Sequence, residues 1–155
     1  MEKQIPQINI TYLYKEFRLS PRIIREIFSY ILKKEEANLN CSIDVVFMNN
    51  DAIKKLNKVY RKKNKPTDVL AFNISSEDED EFLNPINLLG EIIISTPYAK
   101  EQAKKQKHSL KKEVVFLLIH GLLHLLGYDD LTVPDYEKMM AKQKEYFAYA
   151  VNNIL

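Results

Sequence analysis

Two histidines, a glycine and two aspartates stand out in the stretch HGLLHLLGYDD, residues 120–130. His120 and His124 lie four residues apart, a spacing that stacks two side chains on one face of a helix. Two neutral imidazoles so placed can hold one divalent ion, with zinc–ligand distances of about 2.0–2.2 Å. Gly127 then offers a left-handed reversal, after which Asp130 can return over the same face. The pattern is H-x3-H-x5-D. It supplies three protein ligands and leaves a position for water, the arrangement of a catalytic zinc site. Such an ion lowers the pKa of its water towards about 7. Asp129 is the alternative ligand, or a partner that orients an imidazole. The plain alternative is a pair of hydrogen-bonded histidines in a core helix. In metallopeptidases a glutamate follows the first histidine as general base. Here Gly121 follows it and can carry no proton, which disfavours peptide hydrolysis.

The second unusual stretch is LNKVYRKKNKPTDVLAF, residues 56–72. Arg61, Lys62, Lys63 and Lys65 crowd beside Tyr60, just before Pro66. An arginine fork binds phosphate through two parallel hydrogen bonds. Clustered cations of this kind suit a phosphate-rich polymer such as RNA. The competing explanation is a solvated helix end where cations meet the dipole. Lys104, Lys105 and Lys107 could extend the same track if they share its face.

These residues need elements to position them. The stretch 109–127 reads as a helix, N-capped by Ser109 and ended by Gly127. Its residues 114–126 are apolar on every side apart from the histidines, so the helix is a buried one. Further helices are expected at 19–37 (N-cap Ser20, Pro21 at the first position), at 50–63 with Ile53, Leu56 and Tyr60 on one side, at 97–108 (N-cap Thr96), and at 133–155. Strands are expected at 7–14, 41–49, 67–74 and 88–96, with Gly90 at a bulge or a close contact. Residues 75–87 read as an acidic, solvated connection. The order lacks strict alternation, so the fold class is α+β, a small mixed sheet under packed helices.

The chain has 155 residues, 46% hydrophobic and 28% charged, with net charge +2. That suits one domain, 1–155, with an ordinary soluble composition. Net charge alone does not mark a nucleic-acid binder. Cys41 is the single cysteine, which leaves no internal disulfide and no sulfur-rich zinc site. The three glycines form no phosphate cradle and no nucleophile elbow. The N-terminus carries no recognisable signal peptide and the longest apolar run is too short to span a bilayer, so a cytoplasmic location is expected.

Three blocks together resemble one family. HGLLHLLGYDD is similar to the H-G-x-L-H-L-x-G-Y-D-H motif of the YbeY endoribonucleases. LNKVYRKKNKPTDVLAF resembles that family's L-N-x-x-Y-R-x-K-x-x-P-T-D-V-L-S-F block, and LGEIIIST its L-G-D-I-x-I-S block. All three occur in the family's order. The resemblance implies a zinc-dependent, single-strand-specific endoribonuclease acting in rRNA maturation, notably at the 3′ end of 16S rRNA, and in ribosome quality control. Its partners would be rRNA and the ribosome or small ribosomal subunit. It implies a mixed four-stranded sheet with about five helices and a zincin-like metal helix. By motif position the ligands fall on His120, His124 and Asp130, and the active-site arginine falls on Arg61. One departure matters: the family's motif usually ends in histidine. A carboxylate there weakens the ion's Lewis acidity and brings harder metals such as Mg²⁺ or Mn²⁺ into range of Zn²⁺. A hydrolase of another bond, such as a peptide, and a non-catalytic ribosome assembly factor are the rival readings.

Overall fold

The computed structural model describes residues 4–74 and 87–155. The acidic connection expected at 75–87 lies outside the described residues, apart from Asn87. The elements run β1 (Gln7–Tyr12), α1 (Pro21–Lys34), β2 (Ser42–Met48), α2 (Asn50–Arg61), β3 (Val69–Asn73), β4 (Leu88–Ser95), α3 (Thr96–Gln106), α4 (Leu110–Leu125) and α5 (Val133–Asn153). The sheet order is β1-β2-β4-β3. β1 and β4 each pair with β2 in parallel, and β3 closes the sheet antiparallel to β4. This is the mixed four-stranded α+β architecture expected, with five helices among the described residues.

Alternation along the strands divides the core. Ile43, Val45 and Phe47 of β2 and Ile92 and Ile94 of β4 face α1, α3, α4 and α5. Met48 and Ile93 face the other way, where Ile53 of α2 and Leu70 of β3 complete a smaller cluster. The period of two puts successive residues on opposite faces, so each central strand serves both layers. α4 is the central helix, with Val114, Val115, Leu118, Ile119, Leu122 and Leu123 fully buried. Gly121 is what lets it press onto β4. A Cβ at that position would lie 2.8 Å from Ile92 Cγ2. No side chain fits there without a shift.

Several local expectations hold and some are corrected. Ser109 caps α4 by accepting from Lys112 N at 3.1 Å. Ser20 occupies the cap position of α1 but makes no side-chain cap bond. Thr96 is not the cap of α3. Ser95 is, its hydroxyl accepting from Tyr98 N, and Thr96 is the first helical residue. The reason is that β4 runs straight into α3, so the last strand residue provides the oxygen. Gly90 marks both a register shift against β2 and a close approach to Phe72 and Leu125. Tyr60 does not join Ile53 in the core. It is 63% exposed, because Ile53 and Asn57 already fill the buried face of α2.

Candidate metal centre

α4 carries His120 and His124 to one side, both half-buried, with rings 4.7 Å apart and nearly perpendicular. Beyond the helix, Gly127 takes φ +99° and reverses the chain, with Gly127 N bonded to His124 O at 3.0 Å. That conformation costs any L side chain dearly and glycine little. The reversal returns Asp130 to the histidines. One donor atom from each of His120, His124 and Asp130 lies within 4.8 Å of the other two. Asp129 turns elsewhere, its carboxylate accepting from Leu131 N at 2.7 Å. His120, His124 and Asp130, the three ligands expected from the sequence, are thus brought together in one place, with Asp130 rather than Asp129 facing the imidazoles.

One ring is oriented by a distant residue and the other by the turn that follows it. His120 Nδ1 donates to Gln143 Oε1 at 3.0 Å. Gln143 is 1% exposed and its own amide nitrogen donates to the Phe116 carbonyl, which sets which end of the amide faces the ring. His124 Nδ1 donates to the Tyr128 carbonyl at 3.1 Å. These acceptors assign the proton of each ring to Nδ1. Both Nε2 lone pairs then face one another at 3.1 Å with no proton between them. Two nitrogens on one tetrahedral zinc would stand about 3.4 Å apart. The facing lone pairs, the nearby carboxylate and the fixed tautomers therefore fit a divalent cation. Burial, then the neighbouring His120, pushes the His124 pKa down, which favours the neutral, ligating form.

A polar anchor stands behind this arrangement. Glu35, just past α1, accepts from the hydroxyls of both Tyr128 and Tyr146, with Lys142 Nζ 3.4 Å away. Burial works to raise the Glu35 pKa, but the two hydroxyls and Lys142 outweigh it and hold it below the ordinary carboxylate value. The Tyr128 hydroxyl is pushed up to about 12 by burial and then by its bond to Glu35. Tyr128 thus serves twice: its carbonyl holds His124 and its hydroxyl ties the loop to α1.

The histidines open into a cleft of about 950 Å³ whose opposite wall is the end of α2, the segment after it, and β3. Arg61, Lys63 and Lys65 line it together with His120, His124 and Asp130. Arg61 donates to the Ala71 carbonyl at 2.9 Å and lies over the Phe72 ring. Asn57, buried at the end of α2, fixes the cation segment. Its amide donates to the Lys65 carbonyl and its own carbonyl accepts from Lys63 N. Lys62 occupies the left-handed cap of α2, and neither it nor Lys104, Lys105 or Lys107 lines the cleft.

Gln143 and Glu35 escaped sequence reasoning. One signal was present: Gln143 interrupts the buried stripe Met139, Tyr146, Ala150 of α5, and a buried amide demands a partner.

Comparison with known proteins identifies the family. The family described as Endoribonuclease YbeY matches residues 7–150. Proteins named Endoribonuclease YbeY from Bacillus thuringiensis (strain Al Hakam) and Bacillus cereus (strain AH187) are 40% identical over 127 residues, which covers 79% of this chain and 81% of theirs. The solution structure of TM1509 from Thermotoga maritima aligns with TM-score 0.64 and 30% identity, covering 93% of this chain and 89% of that one. With a family match spanning nearly its whole length and the three blocks in place, this chain belongs to the YbeY family of endoribonucleases.

Proposed function

We propose that this chain is a zinc-dependent endoribonuclease that cuts single-stranded RNA during rRNA processing, notably at the 3′ end of 16S rRNA, and in ribosome quality control. It works as a single domain, in the cytoplasm, on RNA presented by the ribosome or its small subunit. One observation carries the reading: the His120–His124–Asp130 cluster and the Arg61, Lys63 and Lys65 side chains line the same cleft. Among the described residues no helix is long and apolar enough to cross a membrane.

His120, His124 and Asp130 would hold the ion. When bound, it supplies Lewis acidity towards a phosphoryl oxygen and acidifies water at neutral pH. The chain's own residues do the rest. Gln143 and the Tyr128 carbonyl keep Nδ1 of each imidazole protonated, so each Nε2 stays free for the ion. Arg61 is preset by the Ala71 carbonyl and the Phe72 ring, which leaves its remaining N–H groups for a phosphate and for charge developing on it. Lys63 and Lys65 hold neighbouring phosphates. Because Asp130 contributes a carboxylate, Mn²⁺ or Mg²⁺ is the competing occupant.

The test is cleavage of one RNA sequence offered as single strand and as duplex, before and after chelation, with each metal added back singly. Loss on chelation and recovery with zinc support the reading. Undiminished cleavage by a His124→Ala protein in chelator would sink it. Elemental analysis of the purified protein identifies the ion, and co-sedimentation with small subunits tests the partner.

A further inference from the structure

Tyr60 sits on the wall of the cleft, and 63% of its surface is open to solvent. Neither core packing nor the metal centre uses it. Its described ring contact is with Phe72, which also lines the cleft. The two centroids are 5.2 Å apart with planes inclined at 61°. Phe72 in turn lies beneath Arg61. Phe72 thus packs against both side chains, which holds the Tyr60 ring at the cleft wall and leaves it largely uncovered.

An exposed aromatic braced in this way, beside Arg61, Lys63 and Lys65, has the two parts of a single-strand binding surface: a flat ring for a base and cations for the backbone. A purely apolar occupant would leave the cations without partners, and a simple anion would leave the ring without one. We propose that Tyr60, braced by Phe72, is a nucleobase-stacking subsite that takes one unpaired base of the RNA held by Arg61, Lys63 and Lys65. This rests on the RNA-cleaving reading above and adds a source of selectivity to it. Bases within a duplex already stack on their neighbours and cannot lay a face on Tyr60 without being extruded. Single-stranded RNA offers that face freely.

The experiment is steady-state cleavage by the metal-loaded protein of short single-stranded RNAs, each carrying one abasic ribose at a successive position. Base–aromatic stacking predicts that Tyr60→Ala raises KM about tenfold on the intact RNA, with little change in kcat. Tyr60→Phe restores the KM. At one position the abasic ribose alone raises KM by a similar factor, and adding Tyr60→Ala there changes nothing more. Arg61→Ala, by contrast, lowers cleavage of every substrate in the series alike. If the effect of Tyr60→Ala is the same at every abasic position, the subsite does not exist, although the RNA-cleaving reading survives. If the wild-type protein cuts none of these RNAs, both fall together.

Discussion

Gln143 of α5 meets His120 of α4 with its amide oxygen 3.0 Å from Nδ1, and a second bond, from its amide nitrogen to the Phe116 carbonyl, prevents the amide from turning round. The last helix thereby sets the proton position on an imidazole of the central one. Partners of this kind typically govern metal affinity by about 10–100-fold. Gln143→Leu should weaken zinc binding by a factor in that range while leaving the ligands in place. Gln143→Glu should bind at least as tightly as wild type, because a carboxylate makes the imidazole more basic. Competition with a chromophoric chelator measures both, and equal affinities for wild type and Gln143→Leu would remove the role given to Gln143.

Asp130 is exposed and lies on a reversal rather than in the core. Asp130→Ala should therefore lose most of the metal and retain its fold. Elemental analysis and the thermal transition of the metal-free proteins separate the two effects. A lowered transition for metal-free Asp130→Ala relative to metal-free wild type would mark the aspartate as a structural residue instead.

Arg61 is exposed, and its described contacts are with the Ala71 carbonyl and the Phe72 ring. Arg61→Ala should lower kcat on RNA by on the order of a hundredfold, the size of losing one donor to developing charge. Metal content should not change. Arg61→Lys should recover little, because a single ammonium cannot reproduce the fork.

Glu35 accepts from two tyrosine hydroxyls and stands near Lys142. Glu35→Ala leaves those donors without their acceptor in a largely buried place and should cost about 2–4 kcal/mol. The folded pKa of Glu35 lies below its ordinary value of 4.5. A depressed carboxylate contributes stability that is present above the unfolded pKa and lost as pH falls through the folded one. The thermal transition of wild type should thus fall as pH drops below about 4.5, and Glu35→Gln should flatten that limb. Identical acid limbs in the two proteins would contradict this account.

Gly121 faces Ile92 with no room for a methyl group. Gly121→Ala should force α4 away from β4 and cost about 1–3 kcal/mol, read by urea denaturation. Because the neighbouring residue is His120, metal affinity should fall with it.

Much of this protein is written in local pattern. The alternation in β2 and β4, the apolar girth of α4, the Ser109 cap and the Gly127 reversal each depend on residues within a turn or two of one another, and periodicity records such relations directly. The approach of Asp130 to His120 and His124 belongs to the same class, since one helix and one bend bring it about. What the chain could not reveal by itself are relations across long separations. Gln143 meets His120 from 23 residues away and Glu35 meets Tyr128 from 93, and no local spacing encodes either. Ser95 rather than Thr96 caps α3, because β4 passes directly into that helix. Tyr60 has the spacing of a core residue, yet the burial of Ile53 and Asn57 turns it outward. Whether Arg61, Lys63 and Lys65 share a wall with the histidines, while Lys62, Lys104, Lys105 and Lys107 do not, was likewise decided by packing. Sequence supplies the chemical groups and their local order, whereas the shared cleft exists only because β3 closes the sheet beside the end of α4.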